Sequence, residues 1–225
     1  TDKGYCKRMD VKTYKEQKRG GQGVIGSNLA TGDFVKKLLT CSTHDYLMFF
    51  TSRGRVLWLK AYDIPEAERY SKGKALINLL GLKEEKVTSV ISVKDFKDSL
   101  FMATKNGQVK KISLDIFSKP RASGVRAINL PADNSDSLIG VELVKVGQEV
   151  LLATKKGKAI RFNEKDVRLM GRASYGVTGI KMDKSDEVVS LEILETNAVL
   201  TITKKGYGKR TAVEDYRKTA RAGKG

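Results

Sequence analysis

Glycines set beside cations can hold a phosphate, and QKRGGQG at Gln17–Gly23 places Lys18 and Arg19 among Gly20, Gly21 and Gly23. Nucleotide phosphate, DNA phosphate and a plain turn all fit that composition. Gly21, Gly23 and Gly26 even spell G-x-G-x-x-G, which marks a dinucleotide site only when it follows a buried strand and opens a helix. Here the basic run YKEQKR precedes it and SNLATGD, with no helical apolar period, follows, so the dinucleotide reading lacks its context. Other catalytic chemistry finds little support. The single histidine, His44, has no accompanying nucleophile or ligand set and reads as a turn or packing residue. GYGKRT lacks the loop length needed to wrap nucleotide phosphates. Asp and Glu are dispersed, without a D-x-D or E-x-x-H cluster for a metal. Cys6 and Cys41 lie far apart, which suggests neither a disulfide framework nor a zinc site and fits a reducing cytosol. No catalytic residue and no metal ligand is assigned.

Composition points to a polyanion instead. The 225 residues carry 43 Lys plus Arg against 26 Asp plus Glu, a formal charge of +17, and 40% are apolar, enough to bury a core. No apolar run approaches the roughly 18 residues of a membrane span. The opening TDKGYCKRMD has no hydrophobic region after its cations, so no signal peptide is expected and the location is read as cytoplasmic.

The elements that must position these residues repeat. Five times the sequence gives a Thr, two residues, a Gly and a basic strand: TDKGYCKR, TSRGRVLWLK, TKNGQVKK, TKKGKAIR and TKKGYGKR. Their glycines, Gly4, Gly54, Gly107, Gly157 and Gly206, are spaced about 50 residues apart. YLMFF, SLFMA, EVLLA and AVLTI, before the last four, read as strands, and a Gly at the tip is hairpin chemistry because Gly accepts positive φ. A basic segment closes each unit on a second glycine: QKRGGQG at Gly23, ERYSKG at Gly73, KPRASG at Gly124, GRASYG at Gly176 and ARAGKG at Gly225. DFVKKLLT, KVTSVISV, SLIGVELV and EVVSLEIL are further strand candidates. About four strands per unit predict an all-β, propeller-like ring, with a linear β-solenoid as the alternative. The chain reads as a single domain over 1–225, with units at 1–23 (partial), 24–73, 74–124, 125–176 and 177–225. Trp58, in VLWLK, is expected to pack between units.

Charge follows the repeat. The stretches from hairpin glycine to segment glycine carry net charges of +4, +1, +3, +3 and +4, whereas the remaining 127 residues hold 18 basic and 16 acidic side chains. A single charge run is usually a solvated face. Five equivalent ones in a ring form a continuous basic band that can track a phosphate backbone by counterion release. Tyr70, Phe117, Tyr175 and Tyr216 are too scattered for base stacking, which favours duplex over single strand. A curved band on a rigid ring suits a bent duplex held by its backbone. Candidate DNA contacts are Gln17, Lys18, Arg19, Gly20, Gly21, Gln22 and Gly23, with Arg8, Arg69, Lys72, Lys119, Arg121, Arg168, Arg172, Arg217, Lys218, Arg221 and Lys224.

QKRGGQG resembles the box motif Q-[KR]-R-G-G-[KR]-G of the C-terminal domain of the DNA gyrase A subunit (type IIA topoisomerase). STHDYLMFFTSRGRVLWLKAYDIPEA, PRASGVRAINL, EVLLATKKGKAIRF and TKKGYGKR are similar to that domain in the same order. The resemblance implies a β-pinwheel, a propeller-like ring whose blades exchange strands, with four to five blades in this chain out of up to six. It implies duplex DNA wrapped on the rim, giving directional ATP-dependent negative supercoiling. The implied partners are the B subunit, in an A2B2 holoenzyme, and the N-terminal breakage-reunion part of the same polypeptide. The nucleophilic tyrosine, ATP and Mg²⁺ belong to other parts of that enzyme, so the domain itself is non-catalytic and needs no cofactor. Gln22 departs from the motif, where the family has Lys or Arg.

Two alternatives stay open: the related domain of topoisomerase IV, whose box is degenerate or missing, and a propeller-type protein-interaction scaffold with a basic rim. Thr1 begins at a hairpin tip and Gly225 ends a basic segment. The expectation is therefore an excised part of a longer polypeptide, with irregular end blades.

Overall fold

The computed structural model describes residues 1–14, 19, 21 and 25–225. Its strands are β1 (Tyr5–Cys6), β2 (Tyr46–Thr51), β3 (Arg55–Lys60), β4 (Lys74–Ala75), β5 (Val87–Val93), β6 (Ser99–Thr104), β7 (Gln108–Ser113) and β8 (Val125–Arg126). They continue with β9 (Leu138–Val144), β10 (Glu149–Thr154), β11 (Ala159–Asn163), β12 (Val177–Thr178), β13 (Val188–Leu194), β14 (Ala198–Ile202) and β15 (Gly208–Ala212). One short helix, α1 (Leu76–Leu80), interrupts them.

The Thr-x-x-Gly turn has a direct cause. In β2–β3 the Gly54 N–H donates to the Thr51 carbonyl at 2.9 Å, and the Arg55 N–H donates to Thr51 Oγ1 at 3.2 Å. The same pair of bonds recurs at Thr1, Thr104, Thr154 and Thr203. The threonine thus satisfies two donors of the loop, and the glycine takes the positive φ that the turn requires. A register shift sits just before the threonine in β2, β6 and β10, where the first hairpin strand meets its inner neighbour.

Hairpins assemble into sheets of order β5-β2-β3-β8, β12-β7-β6-β9 and β11-β10-β13, with smaller pairs β1-β4 and β14-β15. Every ladder is antiparallel, which fits blades and not the stacked parallel turns of a solenoid. The chain forms β6 and β7 before β8, yet β8 returns to pair with β3 of the earlier sheet. β12 does the same for β7, and β4 for β1. Each four-stranded sheet therefore draws strands from three successive repeats, the exchange that the resemblance implied.

KVTSVISV, SLIGVELV and EVVSLEIL form β5, β9 and β13 as expected. DFVKKLLT does not form a strand. The other three pair with the first strand of a hairpin, and the hairpin at Gly4 contributes only its second side, β1. Asp33 and Phe34 are held instead by Lys3 and Asp2, whose N–H groups donate to Asp33 Oδ1 and the Phe34 carbonyl. AVLTI does form β14, but Leu200 and Ile202 are 64% and 66% exposed, whereas the equivalent Met48 and Phe50 are fully buried. Burial comes from a neighbouring sheet, not from the hairpin itself.

Both faces of a central strand are apolar because sheets flank it on both sides. Leu100 and Met102 of β6 pack with Met48, Phe50 and Val56, while Phe101 and Ala103 pack with Val150, Leu152 and Phe162. β9 packs against β5 and β13, so the inner strands form a hub, and β4, β8 and β12 mark the outer edge. Trp58 packs between units as expected, 6.3 Å from the Phe117 ring.

The glycine closing each basic segment lies over that outer edge. A Cβ on Gly176 would stand 2.6 Å from the Val109 carbonyl oxygen, at φ +96°, and one on Gly124 would stand 2.7 Å from that of Val56, at φ +68°. Gly73 and Gly225 meet the Cys6 and Ala159 carbonyls in the same way. Gly176→Ala should therefore cost about 1–3 kcal/mol for the left-handed backbone alone, with the clash in addition. Urea unfolding measures it; an unchanged midpoint would mean that the crossing is not tight.

Candidate nucleic-acid interface

The second hairpin strand leads into a 3-10 turn seven residues after each hairpin glycine: Val11–Thr13, Ala61–Asp63, Leu114–Phe117, Glu164–Asp166 and Val213–Asp215. In the second to fifth units the basic segment follows that turn and crosses the outer edge of the preceding sheet. Equivalent bonds fix successive segments. The Asn129 N–H donates to the Ser174 carbonyl at 3.0 Å, and the Lys181 N–H to the Gly223 carbonyl at 2.8 Å. The segments thus occupy matching places along the rim.

Within QKRGGQG, Arg19 and Gly21 are described and exposed. Gln17, Lys18, Gly20, Gln22 and Gly23 lie outside the described residues. Lys72, Lys119, Arg121, Arg168, Arg172, Arg217, Lys218 and Lys224 are exposed, while Arg8, Arg69 and Arg221 are half-buried. Arg8 turns towards the next segment, donating from Nε to the Ile64 carbonyl at 3.2 Å and pairing with Glu66 at 3.2 Å. Lys218 pairs with Glu149 at 2.6 Å. Arg221 donates to the Asp166 and Thr178 carbonyls, tying its segment to the preceding one. Arg69 lies over the Tyr70 ring, and Lys72 over that of Tyr5 at 3.9 Å.

The informative contrast is between cations with acidic partners and those without. At the hairpin tips, Lys105 and Lys155 share Glu187, Lys158 meets Asp183 and Arg55 meets Glu85, all at 3.0 Å or less. These acids come from the loops leading to the inner strands. On the rim, Arg69, Lys72, Lys119 and Arg121 have no carboxylate within 4.0 Å among the described residues, nor have Arg168, Arg172, Arg217, Arg221 and Lys224. Lys3, Arg53, Lys156, Lys204 and Lys205 at the tips also have no carboxylate within 4.0 Å among the described residues, so acids pair with part of the tip cations and, on the rim, with Arg8 and Lys218. The aromatics of the rim divide too: Tyr70 and Tyr175 are 56% and 61% exposed, whereas Phe117 is core. His44 sits exposed in the turn before β2, edge-on to Tyr62 at 6.0 Å.

Sequence reasoning assigned Arg8 to DNA and missed the structural role that it shares with Lys111 and Arg161 in the same stretches. Four residues after the hairpin glycine stand Arg8, Lys111 and Arg161, and each grips the 3-10 turn of the next unit or its flank. Lys111 pairs with buried Glu164 at 2.5 Å, and Arg161 donates from Nη1 to the Val213 and Tyr216 carbonyls. Trp58 takes this position in the second unit and meets Phe117 instead. The signal was available as a fixed position in the repeat, inside a strand.

The sequence model of the family described as "DNA gyrase C-terminal domain, beta-propeller" matches residues 1–42, 45–94, 98–145, 148–195 and 197–225. The A subunit of DNA gyrase from Salmonella typhimurium is 43% identical over 226 residues, covering 99% of this chain and 26% of its own length. The chain thus spans about a quarter of that relative. The crystal structure of the C-terminal domain of DNA topoisomerase IV is similar at a TM-score of 0.81 and 26% identity, covering 100% of this chain and 69% of that one. A DNA gyrase A C-terminal domain is similar at 0.79 and 30% identity, covering 99% and 73%.

The bonds that seat the last segment depend on pH. Lys218 and then Arg161 hold the Glu149 carboxyl below its ordinary value, against a smaller opposing effect of burial. Between the folded and unfolded values the unfolded chain binds more protons, so this stabilisation is present above about pH 4.5 and is lost as pH falls below it. Glu149→Gln should cost about 1.5–3 kcal/mol at neutral pH and progressively less towards about pH 3. Urea unfolding across that range checks it; an equal cost at both ends would remove the ion pair as the cause.

Proposed function

The chain belongs to the DNA gyrase C-terminal domain family, and from that premise we propose that it binds duplex DNA along its rim and wraps it. The observation that supports this reading is the row of rim cations without acidic partners among the described residues, on segments that cross successive sheet edges. Such a surface neutralises phosphates and releases their counterions without reading bases. Because the segments follow one another around stacked sheets, a duplex that engages several must bend. In the parent topoisomerase the wrap presents a DNA crossing of fixed sign to the catalytic core, so that ATP-driven strand passage becomes directional negative supercoiling. The domain supplies geometry, and the chemistry belongs to the breakage-reunion part of the same polypeptide and to the B subunit of an A2B2 holoenzyme in the cytoplasm. ATP and Mg²⁺ act there and not here.

A topoisomerase IV-type role is the second reading, since that domain's structure is as similar as gyrase's. The RGGxG of Arg19–Gly23 favours gyrase. A protein-interaction scaffold would have no need to gather, on the crossing segments, nine cations without acidic partners among the described residues.

Contact with about six to ten phosphates should weaken binding roughly 10³–10⁵-fold between about 50 and 200 mM salt. Fluorescence anisotropy with a long and a very short duplex tests this: a flat salt response, or equal affinity for both lengths, would overturn rim wrapping. Lys18→Ala with Arg19→Ala should reduce wrapping more than binding, read as a smaller linking-number shift after ligating circles around bound protein. A wild-type shift would show that the box does not clamp the wrap.

A further inference from the structure

The residue three places after each hairpin glycine alternates along the chain: Lys7, Leu57, Lys110, Ile160, Lys209. Lys110 is fully buried, and its ammonium donates to the carbonyls of Ala127, Arg172 and Ser174 at 2.7, 2.8 and 3.3 Å. Three donors meet three acceptors. Lys7 does the same at the carbonyls of Glu68, Arg69 and Ser71, at 3.2, 2.5 and 2.9 Å. Relative to the segment glycines Gly176 and Gly73, both lysines take the carbonyls four and two residues back. In the second and fourth repeats an apolar side chain fills the place, and in the fifth Lys209 is exposed. Leu57 Cγ would stand 3.0 Å from a Cβ on Gly124, and Ile160 Cδ1 3.3 Å from one on Gly223. The rim therefore carries two kinds of segment, one held by an ammonium and one resting on an aliphatic chain.

A buried cation facing only neutral carbonyls is costly, and burial pulls Lys110 down to about 8. Neither lysine has a carboxylate within ion-pair distance among the described residues. Leu57 and Ile160 show that packing alone does not require lysine there. The Ser174 carbonyl is held by the Asn129 N–H as well, as the Lys181 N–H holds the equivalent Gly223 carbonyl in the Ile160 repeat. What the ammonium adds is therefore an inward tie on the carbonyl four residues before the segment glycine, that of Arg172 or Arg69. A carbonyl oxygen facing a phosphate repels it. With that oxygen withdrawn, the outer side of GRASYG is left to exposed Arg172 and Tyr175.

We propose that Lys110 and Lys7 are positioning residues for DNA-backbone binding, fixing segments 171–176 and 68–73 through a carbonyl tie that the apolar-seated segments do not receive from Leu57 or Ile160. This rests on the reading of the rim as a DNA surface. Lys110→Leu copies a sister repeat but leaves the Ala127 and Arg172 carbonyls without the ammonium's hydrogen bonds. The 225-residue chain carrying it should stay folded with a lower urea midpoint and, assayed well below that midpoint, bind a long duplex about tenfold more weakly, with a log–log salt slope shallower by about 1. Hydrogen exchange should speed up within 171–176 and stay slow in β10 and β13. Lys7→Leu should weaken binding similarly and Lys7→Arg restore it, which decides the matter if Lys110→Leu fails to fold. Wild-type affinity and slope in both leucine variants, or no rescue by arginine, would overturn the proposal. A wild-type chain that binds no duplex would instead bring down the rim reading, and this proposal with it.

Discussion

Everything in this molecule depends on satisfying the outer edge of each hairpin. Left alone, β3 and β7 would present a row of unpaired N–H and C=O groups, and no strand of their own repeat covers it. Two residues of a later repeat, in β8 and β12, do so. To arrive there the chain must pass over the carbonyl of the strand it is about to pair with, which is why a glycine with positive φ stands at each crossing. The basic segment is the approach to that crossing. Its place on the rim is a consequence of edge pairing, and a repeat cannot present its segment without the repeat before it.

The same constraint sorts the lysines and arginines into three uses. Arg55, Lys105, Lys155 and Lys158 at the hairpin tips meet acids from the loops leading to β5 and β13. Those inside the second hairpin strand point at the neighbouring segment's carbonyls and fix its path. The remainder face solvent without acidic partners among the described residues. Net charge alone treats the three as one population. The charge that a polyanion meets is the third group only, carried on a backbone that the second group has made stiff.

Legibility in the sequence followed how local the cause was. The Thr-x-x-Gly turns were readable because threonine and glycine satisfy and shape the loop within five residues. The continuous apolar strands such as YLMFF and SLFMA were readable because both faces of a blade are covered. DFVKKLLT is as apolar as KVTSVISV yet forms no strand, because pairing is a long-range fact. The 3-10 turns left only a weak trace, in caps such as Asp10 and Asn163, whose side chains accept from Lys12 and Lys165 N–H groups. The sequence placed Arg8 on the basic band, whereas the structure turns it to Glu66 and the Ile64 carbonyl. Position in the repeat, not charge, separates it from Arg172.

Backbone-held segments also explain why the fold is shared more widely than any one use of it. Hub packing, edge pairing and crossing glycines specify the stacked sheets whether or not a segment binds anything, so gyrase and topoisomerase IV domains resemble this chain about equally. What can differ between relatives is the handful of side chains on the outer face of each crossing and the residue beneath that sets its direction. That residue is lysine in some repeats and leucine or isoleucine in others, under the same antiparallel sheet pairing. A repeat architecture with this division can retune one contact at a time without disturbing the sheets that carry it.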